Sequence, residues 1–162
     1  MSDPPPSDPQ GASGQSTAPP TRQIVVPDAC VGVKWCVPEP DSNDAARLLD
    51  PRFELHVPSY FFTEAASVLQ RKVAVDRTLS EAEGLDAFRL LGRIPMTVHP
   101  TSSLLEDAFQ HGVRYRRPVY DSLYLVLAAA LGGRVVTGDR RLYNGVHNGP
   151  LDHLVLWVTD PL

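Results

Sequence analysis

The chain predicts an α/β fold, a three-layer α/β/α sandwich around a mainly parallel central sheet, and three observations carry that prediction. Short β-branched runs alternate with helical patterns along the sequence, which is the signature of strand-helix-strand units. With 162 residues, 43% of them hydrophobic, there is enough apolar surface for one core, and no internal repeat is visible. One stretch, residues 119–142, spells out a whole unit: V-Y-D-S-L-Y-L-V-L-A-A-A-L-G-G-R-V-V-T-G-D-R-R-L. Pro118 suits the first position of a helix and Gly132-Gly133 its left-handed stop. Val119, Leu123, Leu127 and Leu131 recur every four residues, with Leu125, Val126 and an alanine run between them, so the helix is expected to be central and buried. Arg134 to Thr137 then reads as a strand.

Taken in order, residues 1–22 hold six prolines among Ser, Gly, Gln and Thr and are expected to form a disordered tail, with a folded domain over residues 23–162. Ile24-Val25-Val26 is the first strand, ended by Pro27-Asp28, and residues 31–37 a short helix or turn. Pro38-Glu39-Pro40 breaks the chain, and Ser42 or Asn43 is placed to cap a helix carrying Ala45, Ala46, Leu48 and Leu49. Residues 53–57 are a second strand, and Pro58-Ser59 opens a helix from Tyr60 to about Val75 with Glu64 in its second turn. Ser80 and Glu83 form a capping box at the head of the next helix. Residues 96–98 are a third strand, a helix beginning at Thr101 or Ser102 is expected to stop near Gly112, and a short helix after Asp139 leads to a last strand over residues 154–158.

Connections of this kind put functional residues together. A crossover helix runs antiparallel to the strand it feeds, so the start of the helix and the end of the strand share one edge of the sheet. Asp121, in the first turn of its helix, and Asp139, just past its strand, are eighteen residues apart yet expected to be neighbours. Asp28 ends the first strand, and Glu64 starts out from the end of the second. Four carboxylates therefore meet at the edge where open α/β sheets bind ligands. Acids near helix starts also favour the helix dipole, which alone would account for Glu64 and Asp121, and Asp28 and Asp139 have an alternative as loop or cap residues. Together, however, four unpaired carboxylates repel by several kcal/mol and require cations or raised pKa values, part of which Lys34 and nearby arginines are placed to supply. Oxygen ligands without an organised His or Cys favour Mg²⁺ or Mn²⁺ over zinc.

Composition limits the rest. No apolar run approaches the ~20 residues of a membrane span and the amino terminus carries no apolar signal core, so a soluble, cytoplasmic protein is expected. Cys30 and Cys36 lack a metal-type spacing and are expected to be free thiols. A net charge of −4 argues against a broad basic surface for nucleic acid, although cations bound at an acidic site would reverse the local sign. Arg114, Arg116 and Arg117 before Asp121, and Arg140 and Arg141 after Asp139, flank the proposed edge. Arginine matches phosphate oxygens in a bidentate way; a solvated charged face is the alternative. Lys34-Trp35 is read as packing and local charge balance, and the five histidines have no ligand spacing.

Four motifs in this order, V-V-P-D-A-C-V-G-V-K-W with P-E close behind, V-P-S-Y-F-F-T-E-A-A-S-V-L, V-Y-D-S-L-Y-L-V-L-A and V-V-T-G-D-R-R-L, resemble the PIN-domain family, especially the VapC-type ribonuclease toxins of bacterial toxin–antitoxin pairs. The resemblance spans residues 23 to the end. It implies a metal-dependent endoribonuclease in which Asp28, Glu64, Asp121 and Asp139 hold Mg²⁺ or Mn²⁺, with Thr137 as a polar helper beside the last acid. It also implies an RNA substrate such as tRNA or rRNA, a homodimer, and a small antitoxin with a basic side chain near the pocket. Arg116, Arg117 and Arg140 are the substrate contacts expected beside Thr137. Two positions depart from the pattern: Cys30 stands where the family often has serine, and Pro27 precedes Asp28. The alternatives are a PIN-like RNA-processing nuclease without an antitoxin, and a PIN-fold protein-interaction module without cleavage. A phosphoacceptor site fits poorly, because Asp28-Ala29-Cys30 lacks the second acid that the phosphatase motif needs.

Overall fold

The structure, a computed structural model, describes residues 22–162. All but Arg22 of the tail expected over residues 1–22 lies outside the described residues. Five strands, β1 (Gln23–Pro27), β2 (Phe53–Pro58), β3 (Thr97–His99), β4 (Arg134–Thr137) and β5 (Val155–Trp157), form one sheet in the order β3-β2-β1-β4-β5. Every pairing is parallel, with Val25 opposite Leu55 on one side and Val26 opposite Val135 on the other. The sheet expected to be mainly parallel is thus wholly so.

Successive strand residues point to opposite faces, and two separate buried clusters follow from that alternation. Val26, Val57, Val135 and Val155 pack on one face with Phe61, Leu69, Leu91, Tyr124 and Leu125. Val25, Phe53, Leu55 and Val136 pack on the other with Val31, Ala45 and Leu48. The helices are α1 (Ala29–Lys34), α2 (Ser42–Ala46), α3 (Tyr60–Ala74), α4 (Glu81–Leu91), α5 (Leu105–Tyr115), α6 (Val119–Leu131) and α7 (Arg140–Val146), all but α5 contributing buried side chains to these clusters, and Leu48 lies in a 3₁₀ turn that follows α2. Helix α6 is buried over Asp121–Leu125 and at Leu127 and Ala128, whereas Ala129 and Ala130 reach solvent. Among the described residues no helix is long and apolar enough to cross a membrane.

The capping box at Ser80 and Glu83 is present with both of its bonds, and Gly132 ends α6 in the left-handed region at φ 67°. Three local expectations change. Asp41, at φ 65°, occupies the cap position of α2, while Ser42 Oγ accepts the Glu39 N–H at 3.0 Å. Helix α5 follows a 3₁₀ turn at Thr101–Ser103 and runs through Gly112 to Tyr115, where Arg116 turns left-handed at φ 54°. Gly112 is needed for closeness rather than for a stop: a Cβ there would lie 2.8 Å from the Arg117 carbonyl oxygen. Pro118 sits at the cap position of α6, one residue before the helix proper.

Chain direction reverses at the centre of the sheet. From β1 the chain moves outward through β2 to β3, and then returns to place β4 and β5 on the other side of β1. The carboxyl ends of β1 and β4 flank the crevice that this switch creates, which is the ligand position of open α/β sheets. A cleft of about 690 Å³ at the opposite edge is lined largely by apolar groups such as Leu48, Phe53, Leu55 and Met96 and gathers no comparable set of acids.

Candidate active site

Each acid is positioned by the start of a helix. Asp28 caps α1, its Oδ1 accepting the Val31 N–H at 3.0 Å and the Cys30 thiol at 2.9 Å. Asp139 caps α7 by accepting the Arg141 N–H at 2.7 Å. Glu64 projects from α3 and accepts a hydrogen bond from the Tyr124 hydroxyl of α6 at 2.6 Å. Asp121, in the first turn of α6, is 7% exposed and lies 3.7 Å from an Arg141 guanidinium nitrogen.

Thr137 joins two of them. Its hydroxyl donates to Asp28 Oδ2 and accepts the Asp139 N–H at 2.9 Å, so one β4 side chain sets the separation of the acids after β1 and β4. Thr137 is fully buried. That places its hydroxyl between Asp28 and the Asp139 backbone, beside the last acid. Cys30 reinforces the same junction, since its sulfur accepts the Gly138 N–H at 3.2 Å while its proton faces Asp28. Burial first, and then the Asp28 charge, push the Cys30 thiol far up, so it stays a thiol and donates.

The four carboxylates feel one another. Burial raises the pKa of Asp28 despite the hydrogen bonds from Cys30, Thr137 and Val31, and Asp139 adds repulsion. Glu64 is raised first by burial and then, against the Tyr124 bond, by Asp28, Asp121 and Asp139. Asp121 is raised by burial and by Asp139, against the pull of Arg141 and Arg117. Among the described residues only Asp121 of the four has an ion-pair partner, and that partner's side chain is 64% exposed. Lys34, expected to neutralise part of this charge, turns away: its ammonium binds Glu39 at 3.2 Å and the Pro40 carbonyl at 2.8 Å. The reading of Lys34-Trp35 as charge balance and packing holds, with the Trp35 indole donating to Ala45 O at 2.8 Å.

Such a donor set, all oxygen and nearly without cations of its own, has the chemistry of a hard divalent-metal site. The side chains do not close into a ready cage, since among the described residues no group of three or more His, Cys, Asp or Glu meets at a point that would hold an ion. Pinning explains part of this. Asp28 is held through both oxygens by three donors, and Glu64 through Oε2 by Tyr124, so their orientations are set by the fold.

Of the arginines singled out, the structure brings two to the acids. The Arg117 guanidinium, which acts on Asp121, rests over Gly145, where a Cβ would collide with it. Arg141 spans Asp121 and the face of the Tyr120 ring, 5.9 Å from its centroid. Arg140 instead lies over Trp157 at 5.3 Å, and Arg114 over Tyr115 at 5.3 Å. Arg116 is exposed at its left-handed turn and pairs with no acid among the described residues. Four of the five histidines find partners other than the four acids: His56 with His99 at 2.9 Å, His111 with Ser122 at 3.1 Å and His147 with Asp152 at 2.7 Å.

Sequence reasoning missed the tyrosines. Tyr124 stands one helical turn from Tyr120 and three residues after Asp121, so the α-helical period puts all three on neighbouring parts of one face. That signal was present, but both tyrosines blended into an apolar helix.

Comparisons with known proteins identify the family. A match to the PIN domain covers residues 25–146. Ribonuclease VapC9 of Mycobacterium tuberculosis is 38% identical over 101 residues, 62% of this chain and 77% of that protein. Ribonuclease VapC3 of Pyrobaculum aerophilum is 32% identical over 120 residues, 73% of this chain and 91% of that one. The crystal structure of PAE2754 from Pyrobaculum aerophilum superposes with a TM-score of 0.59 over 85% of each chain at 16% identity, which speaks for the fold alone. On the matched span, the relatives and the switch-point geometry together, the chain belongs to the PIN-domain family and is of the VapC type.

Proposed function

We propose that this protein is an endoribonuclease dependent on Mg²⁺ or Mn²⁺ that hydrolyses RNA phosphodiester bonds at the carboxylate edge, as the toxin of a toxin–antitoxin pair. The observation that carries the reading is the set Asp28, Glu64, Asp121 and Asp139: four mutually repelling carboxylates at the switch point of a VapC-type chain, of which only Asp121 has a cationic partner among the described residues. These four would hold the metal. A divalent ion bound there supplies charge neutralisation at the phosphate and lowers the pKa of a bound water.

The chain's own residues do the remaining work. Thr137 and Cys30 fix Asp28, Tyr124 orients Glu64, and a carboxylate oxygen left free of the metal would be placed to take a proton from the attacking water. Arg117 and Arg141 stand beside Asp121, positioned to meet phosphate oxygens, and Arg116 and Arg140 are assigned to more distant phosphates. Residues 23–162 would make up the nuclease unit and residues 1–22 a tail. The protein would act in the cytoplasm as a homodimer restrained by its antitoxin. The exposed stripe Leu105, Phe109 and Val113 along α5 supports such an assembly.

One observation favours a second reading. The acids do not converge into a cage, as a PIN-fold interaction module without cleavage would allow. The two readings separate when purified protein is incubated with total tRNA and rRNA in Mg²⁺, in Mn²⁺ and in EDTA, beside Asp121→Asn. Discrete fragments that need both metal and Asp121 are expected. Intact RNA in the presence of folded protein and either metal would move the weight to the interaction module.

A further inference from the structure

Arg117 differs from the other arginines near the carboxylate edge. Arg114 and Arg140 lie on aromatic rings, Arg141 reaches Asp121 at 3.7 Å over the Tyr120 ring, and Arg116 is exposed at its left-handed turn. Arg117 is half-buried, yet among the described residues its guanidinium donates no hydrogen bond and makes no ion pair. It acts on Asp121 through its charge, while the ion pair of that acid is with Arg141.

The fold nevertheless builds a seat for this side chain. The Arg117 N–H donates to Gly112 O at 2.9 Å, and a Cβ on Gly112 would stand 2.8 Å from the Arg117 carbonyl oxygen. Arg116 at φ 54° on one side and Pro118 capping α6 on the other complete the hold on its backbone. The guanidinium then crosses α7 at Gly145, where a Cβ would lie 2.6 Å from its Cζ and collide with Nη1. Gly145 is inside α7, where glycine weakens a helix relative to alanine, and its φ is outside the left-handed region. Neither the helix nor the backbone conformation calls for glycine there; room for the guanidinium does. An arginine that bound elements together would use its donors on them. This one is held by shape, with its planar fork open.

We propose that Arg117, in the seat formed by Gly112 and Gly145, is the phosphate clamp of the carboxylate edge: its fork takes two non-bridging oxygens of the phosphodiester, and Gly145 is the residue that positions it. The inference rests on the ribonuclease reading and separates Arg117 from Arg141, whose side chain is 64% exposed and already engaged with Asp121. A guanidinium fixed before the substrate arrives loses little freedom on binding, and charge on the phosphate oxygens meets donors already in place. Lysine is a poor substitute, because its ammonium is a point charge without the fork.

The test follows the Arg117 Nε–H by nitrogen-15 NMR, assigned by its loss in Arg117→Lys, as inorganic phosphate is added in Mg²⁺. Phosphate is expected to shift this signal in the parent. Gly145→Ala should weaken phosphate binding about 10–100-fold, the range for hydrogen bonds to a charged group, and lower RNA cleavage with it. Its thermal stability should stay equal or rise, because alanine suits a helix and the displaced group is the end of a flexible side chain. Arg117→Lys, read by phosphate binding and cleavage, should match Gly145→Ala and decides the matter by itself if that variant fails to fold. A parent signal that phosphate does not move, or parent-like phosphate binding in either variant, would overturn the proposal. So would a loss of stability in Gly145→Ala with phosphate binding retained, which would make the seat a structural joint between α5 and α7. Cleavage of total tRNA and rRNA is scored separately. A phosphate response at Arg117 without cleavage by the metal-loaded parent counts against the nuclease reading alone, and full cleavage by Arg117→Lys counts against the clamp alone.

Discussion

A single carboxylate, Glu39, and the cluster of four at the sheet edge are treated oppositely. Glu39 is bracketed by two ammonium groups, Lys34 at 3.2 Å and Lys72, and although burial pushes its pKa up, the hydrogen bonds and charges of those lysines bring it below the ordinary value. Asp28, Glu64 and Asp121 are raised first by burial, Glu64 further by Asp28 and Asp121, and Asp139 repels all three. The same side-chain chemistry is balanced in one place and left with negative charge in excess in the other. Lys34 makes the contrast sharp: its aliphatic stem passes near Gly138 beside Cys30, yet its ammonium goes to Glu39 and not to the acids. A carboxylate used to hold the fold together has its cations built in, and a cluster of four acids in which only Asp121 has an ion-pair partner among the described residues is the mark of a site that works on something else.

The comparison breaks most decisively at Asp121. Asp121→Asn is expected to lower RNA cleavage ~10²–10³-fold, a loss of the size seen when a group that stabilises the transition state is removed. Thermal unfolding should meanwhile show equal or higher stability, because one repelling charge is gone. Next in size is Thr137→Val, which removes the hydroxyl between Asp28 and Asp139. Cleavage should fall ~10–100-fold, as for other groups that orient ligands from behind. Glu39→Gln reverses the pattern. It leaves Lys34 and Lys72 unpaired and should cost about 1–2 kcal/mol in urea unfolding with cleavage retained.

The smallest expected effect is the pH dependence, and its sign differs between the two groups. A raised native pKa means that the folded state binds protons more tightly. The cost of the Asp28, Glu64 and Asp121 charges is therefore absent below the unfolded carboxyl range of about 4 and grows as pH rises through the native values. Glu39 is lowered in the native state, so its contribution is full above that range and disappears as pH falls through its native pKa. Melting curves near pH ~3 and ~7 should show Asp121→Asn gaining on the parent only at the higher pH, and Glu39→Gln losing to it only there.

Much of this was readable from residues alone, and for physical reasons. Strand identity follows from β-branched runs such as Ile24-Val25-Val26. The four acids share an edge because parallel crossovers leave no other place for Asp28, Glu64, Asp121 and Asp139. What escaped depends on tertiary contacts that no local pattern carries. Gly112 reads as a stop, yet close approach to the Arg117 carbonyl keeps it inside α5, and the left-handed turn falls to Arg116. Thr137 reads as a polar helper beside the last acid, and only the fold shows its buried hydroxyl donating to Asp28 while it accepts the Asp139 N–H. Lys34 is near enough to the acids in sequence to suggest neutralisation, and only the fold shows that Glu39 takes it. Tyr60 and Tyr120 are sixty residues apart and meet only because α3 and α6 start at one edge.

The most direct test of the unbalanced edge is a Mn²⁺ titration of the parent, Asp121→Asn and Glu39→Gln, with bound ion measured by electron paramagnetic resonance. Binding by the parent and by Glu39→Gln, weakened at least ~10-fold in Asp121→Asn, is the expected result. Equal Mn²⁺ binding by all three proteins, or none by the parent, would contradict the assignment of these carboxylates as the metal site.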